Sequence, residues 1–169
     1  MRNNQNITIR PMKKSDWNAV SKIYAEGIAT GIATFEKEIP TYESWNSSHL
    51  NTCRLIAEQN NTVLGWAALS PVSSRCVYGG VAEVSVYINA ISRGQGVGSK
   101  LMQSLIISSE KEGLWTLQSG IFPENIGSCK LHKKSGFRYI GKRERVGKID
   151  GLWKDNLLYE RRSTIIGVA

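Results

Sequence analysis

Apolar residues along the chain change their spacing several times, and each change marks an element. Ile7 and Ile9 alternate with polar neighbours as far as Arg10 and then meet Pro11, which predicts a short first strand. Trp17, Val20, Ile23 and Tyr24 recur at helical spacing behind Ser15-Asp16, the predicted cap, with Gly27 near the far end. A looser stretch holding Thr34-Phe35-Glu36 and Pro40 leads into a second helix over about 41–51, with Trp45 and Leu50 facing inward. Leu55 to Glu58 and Thr62 to Ser70 read as a hairpin turned at Asn60-Asn61.

After a loop from Pro71 to Gly80, Val81 to Ile88 alternates as a strand and runs into the glycine-rich Arg93-Gly94-Gln95-Gly96-Val97-Gly98. Leu101, Met102, Leu105 and Ile106 then form the stripe of a helix over 98–113. Trp115 to Phe122 is a strand stopped by Pro123. Asn125 caps a short helix that ends near Ser135 at Gly136. Two final strands, about 137–146 and 153–161, flank a turn at Asp150-Gly151. The order is strand, two helices, three strands, helix, strand, helix, two strands. It predicts a mixed α/β (α+β) domain spanning 1–169, with a twisted, mostly antiparallel sheet of about seven strands and helices on both faces.

Composition narrows the functional classes. A hydrophobic content of 41% and a charged content of 21% are ordinary for a globular chain, and no apolar run approaches bilayer length. The polar start, Met1 to Asn6, lacks a secretion signal, so a cytoplasmic protein without a membrane partner is expected. Cys53, Cys76 and Cys129 lack the spacing of zinc ligands or redox pairs and read as buried free thiols, with no metal expected. The net charge of +8 is partly gathered at Lys130, Lys133, Lys134, Arg138, Lys142, Arg143, Arg145 and Lys148. Basic residues without interleaved aromatics or a reading helix argue against nucleic acid and leave a polyanionic small ligand.

The glycine-rich turn is where such an anion is expected to dock. Glycines let the backbone approach closely, and the following helix aims free N–H groups and its positive dipole end at the same point. Gly94, Gly96 and Gly98 alternate, unlike the dinucleotide fingerprint, and Gly98-Ser99-Lys100 is not a Walker sequence. Arg93-x-x-Gly96-x-Gly98 after a strand instead resembles the acetyl-coenzyme A signature of the GCN5-related N-acetyltransferases. Asn125-Ile126-Gly127-Ser128, closing downstream at Gly136-Phe137, resembles the second motif of that family.

The resemblance covers essentially the whole chain and implies acetyl-CoA as co-substrate. Its pyrophosphate would sit on backbone N–H groups of Arg93, Gly94, Gln95, Gly96, Val97, Gly98 and Ser99. Val86, Tyr87 and Ile88 would border the pantetheine arm with Asn125 and Ser128, and Lys134 would lie near the nucleotide end. Within the family, Ala82-Glu83-Val84-Ser85-Val86-Tyr87-Ile88, Thr34-Phe35-Glu36, Gly65-Trp66-Ala67 and Asp150-Gly151-Leu152-Trp153 are most similar to the phosphinothricin and methionine sulfoximine acetyltransferases. Those enzymes acetylate the α-amino group of small amino acids or analogues, and relatives are commonly homodimers.

The chemistry requires a base, because an α-amino group with a pKa of about 8 is mostly protonated at neutral pH. Glu83 is the candidate, sharing a strand face with Ser85 and Tyr87, and Val84 and Ser85 would flank the acceptor. A backbone N–H between Val86 and Ile88 would meet the developing oxyanion. His132 stands where many relatives carry an acid-donating tyrosine; it is either that donor or a packing residue. Arg75 is the candidate for an acceptor carboxylate, and Phe35 and Trp66 for the pocket wall. Asp150 occupies the place of a histidine that some relatives carry, so either Glu83 works without that partner or the substrate differs. A protein N-terminus, a polyamine or an aminoglycoside is the alternative acceptor, and a silent CoA- or nucleic-acid-binding module is the alternative of another class.

Overall fold

The computed structural model describes residues 6–169. Its sheet has seven strands in the order β1-β2-β3-β4-β5-β7-β6: β1 (Thr8–Pro11), β2 (Leu55–Gln59), β3 (Thr62–Pro71), β4 (Val81–Ile88), β5 (Thr116–Ile121), β6 (Arg138–Ile149) and β7 (Leu152–Arg162). Every neighbouring pair is antiparallel except β4 and β5, which run parallel. Four α-helices cover the sheet: α1 (Trp17–Ala29), α2 (Tyr42–Ser48), α3 (Val97–Lys111) and α4 (Ile126–Lys134). Among the described residues, no helix is long and apolar enough to cross a membrane.

The alternation in the strands divides the core into two layers. On one face, Leu101, Met102 and Leu105 of α3 are fully buried against Ala67, Leu69, Ala82, Val84 and Leu117. On the other face, α1 and α2 bring Val20, Ile23 and Trp45 onto Ile56, Trp66 and Ala68. A parallel step from β4 to β5 requires a crossover, and α3 supplies it across one face.

Several local expectations shift by a residue or more, each for a physical reason. β1 includes Pro11, which a sheet tolerates only at an edge where its missing N–H costs no ladder bond. Asp16 does not cap α1. It has helical φ and ψ of −78° and −11°, and its carboxylate instead accepts from the Lys13 N–H at 2.7 Å and from Arg10 at 2.8 and 2.9 Å. Arg10 also reaches Glu58 at 2.6 Å, so this small network ties β1 to β2 and to the start of α1.

α2 ends at Ser48 rather than near Asn51, because His49 is extended and its Nδ1 lies 2.7 Å from the Trp45 carbonyl. The last hairpin is longer than its apolar pattern suggests. β6 is charged and mostly exposed, as edge strands often are, and both turn residues, Asp150 and Gly151, take positive φ. Cys76 is exposed, contrary to the buried thiol expected; Cys53 and Cys129 are buried.

The Arg10 guanidinium holds the Asp16 carboxyl below the usual carboxylate range. A lowered pKa in the folded state contributes stability above the unfolded value of about 4, which is lost as pH falls through the folded value. Asp16→Asn is expected to cost on the order of 1–3 kcal/mol near neutrality and to flatten the acid limb of stability, read by urea unfolding at pH 2–7. An unchanged acid limb would exclude this network as its source.

Candidate active site

β4 and β5 are hydrogen-bonded neighbours only from Val81–Glu83 to Thr116–Gln118. β4 keeps its other partner, β3, as far as Ile88 opposite Gly65. Beyond Glu83 the two strands therefore part, and one edge of β4 from Val84 to Ile88 has no strand beside it. A cleft of about 1410 Å³ runs through this wedge. Its lining brings together Phe35, Glu83, Val84, Ser85, Val86, Tyr87, Ile88, Arg93, Gly94, Gly96, Gly98, Ser99, Asn125, Ser128, His132 and Lys134.

At one mouth of the cleft the chain leaves β4 through a single turn at Ala90–Ser92, where the Asn89 side chain accepts from the Ser92 N–H at 2.9 Å. Gly94 and Gly96 follow with φ of +75° and +84°, values that favour glycine, and no atom lies within 4 Å of where a Cβ would stand on either. The result is an open backbone cradle at the N-terminus of the 15-residue α3. Gln95 turns aside to donate to the Ile91 carbonyl at 2.8 Å, and the Val97 side chain is buried in the core, so only their backbone can serve an anion here. Asn125 Oδ1 accepts from the Ser128 N–H at 3.2 Å, capping α4 while bordering the cleft. Lys130 adds to this mouth a cation whose place in the chain suggests no more than surface charge.

Glu83 stands at the apex, exposed, with the Gln118 amide donating to its carboxylate at 3.2 Å. Tyr87, on the same strand face, is stacked on Trp66 and tilted against Tyr24, each with ring centroids 4.9 Å apart. Burial pushes both phenols above their ordinary pKa, so both remain neutral.

His132 is 3% exposed, and its Nδ1 lies 2.8 Å from the Ser128 carbonyl. A carbonyl only accepts, so Nδ1 carries the proton and Nε2 bears a lone pair; Nε2 finds no partner among the described residues. Burial lowers the His132 pKa, which further favours the neutral ring.

Three residues expected at the site are not brought to the cleft. Trp66 is 1% exposed in the core beneath Tyr87, because central β3 is covered by α1 and α2. Arg75 is exposed on the loop before β4, its guanidinium 5.7 Å from the Tyr78 ring centroid. Asp150 sits at the tip of the last hairpin in an ion pair with Lys37. Phe35 does border the cleft, edge-on to Phe122 at 4.7 Å. Arg143 and Asn156, from β6 and β7, line it as well, although no motif marks either of them as a site residue.

An open anion cradle, a splayed strand pair and a carboxylate at its apex thus share one cleft. The acetyltransferase (GNAT) family profile matches residues 17–137, and the chain belongs to that family. It is 31% identical over 160 residues to a phosphinothricin N-acetyltransferase of Alcaligenes faecalis, covering 91% of this chain and 81% of that one. It is 29% identical over 154 residues to an L-methionine sulfoximine/L-methionine sulfone acetyltransferase of Salmonella typhimurium, covering 88% and 90%. The solved structure of yncA from Salmonella typhimurium with its cofactor acetyl-CoA aligns with a TM-score of 0.85 and 27% identity, covering 92% of this chain and 93% of that one. The chain is an N-acetyltransferase with acetyl-CoA as co-substrate, and the open cradle at Gly94 and Gly96 has the room that such an anion needs.

Because its folded pKa is lowered, His132 contributes stability above the unfolded value of about 6.5, and that contribution declines as pH falls below it. Nitrogen-15 spectra are expected to show the Nδ1–H tautomer throughout pH 6–8. A His132 ring that protonates with a midpoint at or above 6.5 would restore it as a proton donor.

Proposed function

We propose that the chain transfers the acetyl group of acetyl-CoA to the α-amino group of a small amino acid or analogue, of the phosphinothricin, methionine sulfoximine and methionine sulfone type. The observation that carries the reading is Glu83 at the apex of the wedge, lining the cleft where β4 and β5 part. The named relatives acting on such compounds support the acceptor class.

Acetyl-CoA supplies an activated acetyl thioester. In this reading the N–H groups of the turn from Arg93 to Ser99 hold its pyrophosphate, Lys130 and Lys134 add positive charge nearby, and Asn125 orients the pantetheine arm. The unpartnered edge of β4 offers backbone N–H groups to that arm and to the charge developing on the carbonyl oxygen. Glu83 takes the proton of the acceptor ammonium, directly or through water, so that the neutral amine attacks. The thiolate left behind has a conjugate acid of pKa about 8.5 and takes its proton from solvent, since the His132 Nε2 holds a lone pair rather than a hydrogen.

Glu83→Gln is expected to lower kcat/KM by about 10²–10⁴ while leaving acetyl-CoA affinity within about twofold, measured by thiol release and calorimetry. Activity on polyamines or peptide N-termini with none on any amino-acid analogue would refute the acceptor class. Gly96→Val forces a branched side chain into a left-handed backbone, straining the turn by about 1–3 kcal/mol. Its acetyl-CoA dissociation constant is expected to rise at least about tenfold; equal affinity would move the pyrophosphate elsewhere.

A further inference from the structure

Arg143 of β6 and Asn156 of β7 are directly opposed across the ladder, so their side chains leave the sheet on one face. It is the face of Glu83: Glu83 is opposed to Gln118, Gly120 lies two residues further along β5, and Gly120 is opposed to Leu158, two residues from Asn156. Both Arg143 and Asn156 line the cleft.

Asn156 is 8% exposed, yet its amide makes no hydrogen bond to any described residue. Its amide borders the cleft and is free to bond an arriving ligand. The backbone makes room for it: a Cβ on Gly120 would stand 2.6 Å from its Oδ1. Arg143 is likewise unpaired among the described residues. Around it on the same hairpin, Arg138 pairs with Glu160, Lys142 with Glu144 and Asp155, and Lys154 with Glu124. A guanidinium and an amide on one cleft wall offer a positive charge and several N–H donors to one cluster of oxygens.

We propose that Arg143 and Asn156 form the subsite that holds an oxygen-bearing anionic or strongly polar group of the acceptor. That group is either its α-carboxylate or a tetrahedral phosphinate, sulfoximine or sulfone head at the end of its side chain. The inference rests on the amino-acid acceptor reading and deepens it. Glu83 and the subsite then bracket the acceptor, the carboxylate taking the ammonium end and the donors taking the oxygens.

The test uses the full chain at saturating acetyl-CoA with four acceptors: methionine, methionine sulfone, methionine sulfone amide and methionine amide. Arg143→Gln and Asn156→Ala are expected to raise acceptor KM about 10- to 100-fold, with kcat within about threefold and acetyl-CoA KM unchanged. Arg143→Lys should recover part of the loss. Penalties on both free acids that spare both amides assign the carboxylate; penalties on both sulfones that spare methionine assign the side-chain head. Equal penalties on all four acceptors, a rise in acetyl-CoA KM instead, or no change would each overturn the subsite. If the wild-type chain acetylates none of the four, the acceptor reading has failed by itself. The subsite is then decided by the Asn156 side-chain amide resonance during titration with methionine sulfone and with phosphinothricin: movement with either keeps it, and no movement with both removes it.

Discussion

A sheet interior normally leaves no backbone edge unmatched, and the parting of β4 from β5 after Glu83 breaks that rule at the centre of this molecule. Unmatched N–H and C=O groups are tolerable only where water or a ligand can reach them, so the parting requires a cleft. It also dictates what must hold the two halves together. β4 stays bonded to β3 on its other side, β5 stays bonded to β7, and α3 spans the gap, its Leu101, Met102 and Leu105 sharing one buried core with Val84 of β4 and with Leu117 and Ile121 of β5.

The same parting explains why binding groups gather where they do. The free edge of β4 leads straight into the glycine cradle, so backbone donors for a chain-like arm and for an anion lie along one path. Opposite, the α1–α2 connection brings Phe35 over the cleft against Phe122 and Gly147, and Lys37 meets Asp150 at the hairpin tip. The far side of the cleft is thus closed by contacts between segments far apart in sequence, whereas the side of the glycine cradle is built from two local stretches, 84–99 and 125–134.

That difference accounts for what the sequence disclosed. The element order, the glycine turn and the alternation around Glu83 are local patterns, and each was legible because spacing alone carries it. The two-layer core followed from the apolar periodicity of α1 and α3. The cleft wall that carries Arg143 and Asn156 did not follow, because it depends on how the final hairpin lies beside β5. Arg143 reads as one more charge in a basic run, and Asn156 as a polar residue in a strand; only the register across β6 and β7 makes them neighbours. Trp66 and Arg75 lie away from the cleft for the converse reason: an aromatic on a central strand goes to the core, and a loop arginine follows its loop.

The fit of the Asn156 amide over Gly120 also limits how this protein can change over generations. A side chain at position 120 would stand 2.6 Å from the Asn156 Oδ1, so that amide must turn aside or be replaced to admit it. A larger residue at position 120 is admitted only together with a displaced amide, whereas β6, at the exposed edge, leaves its side chains more room to change.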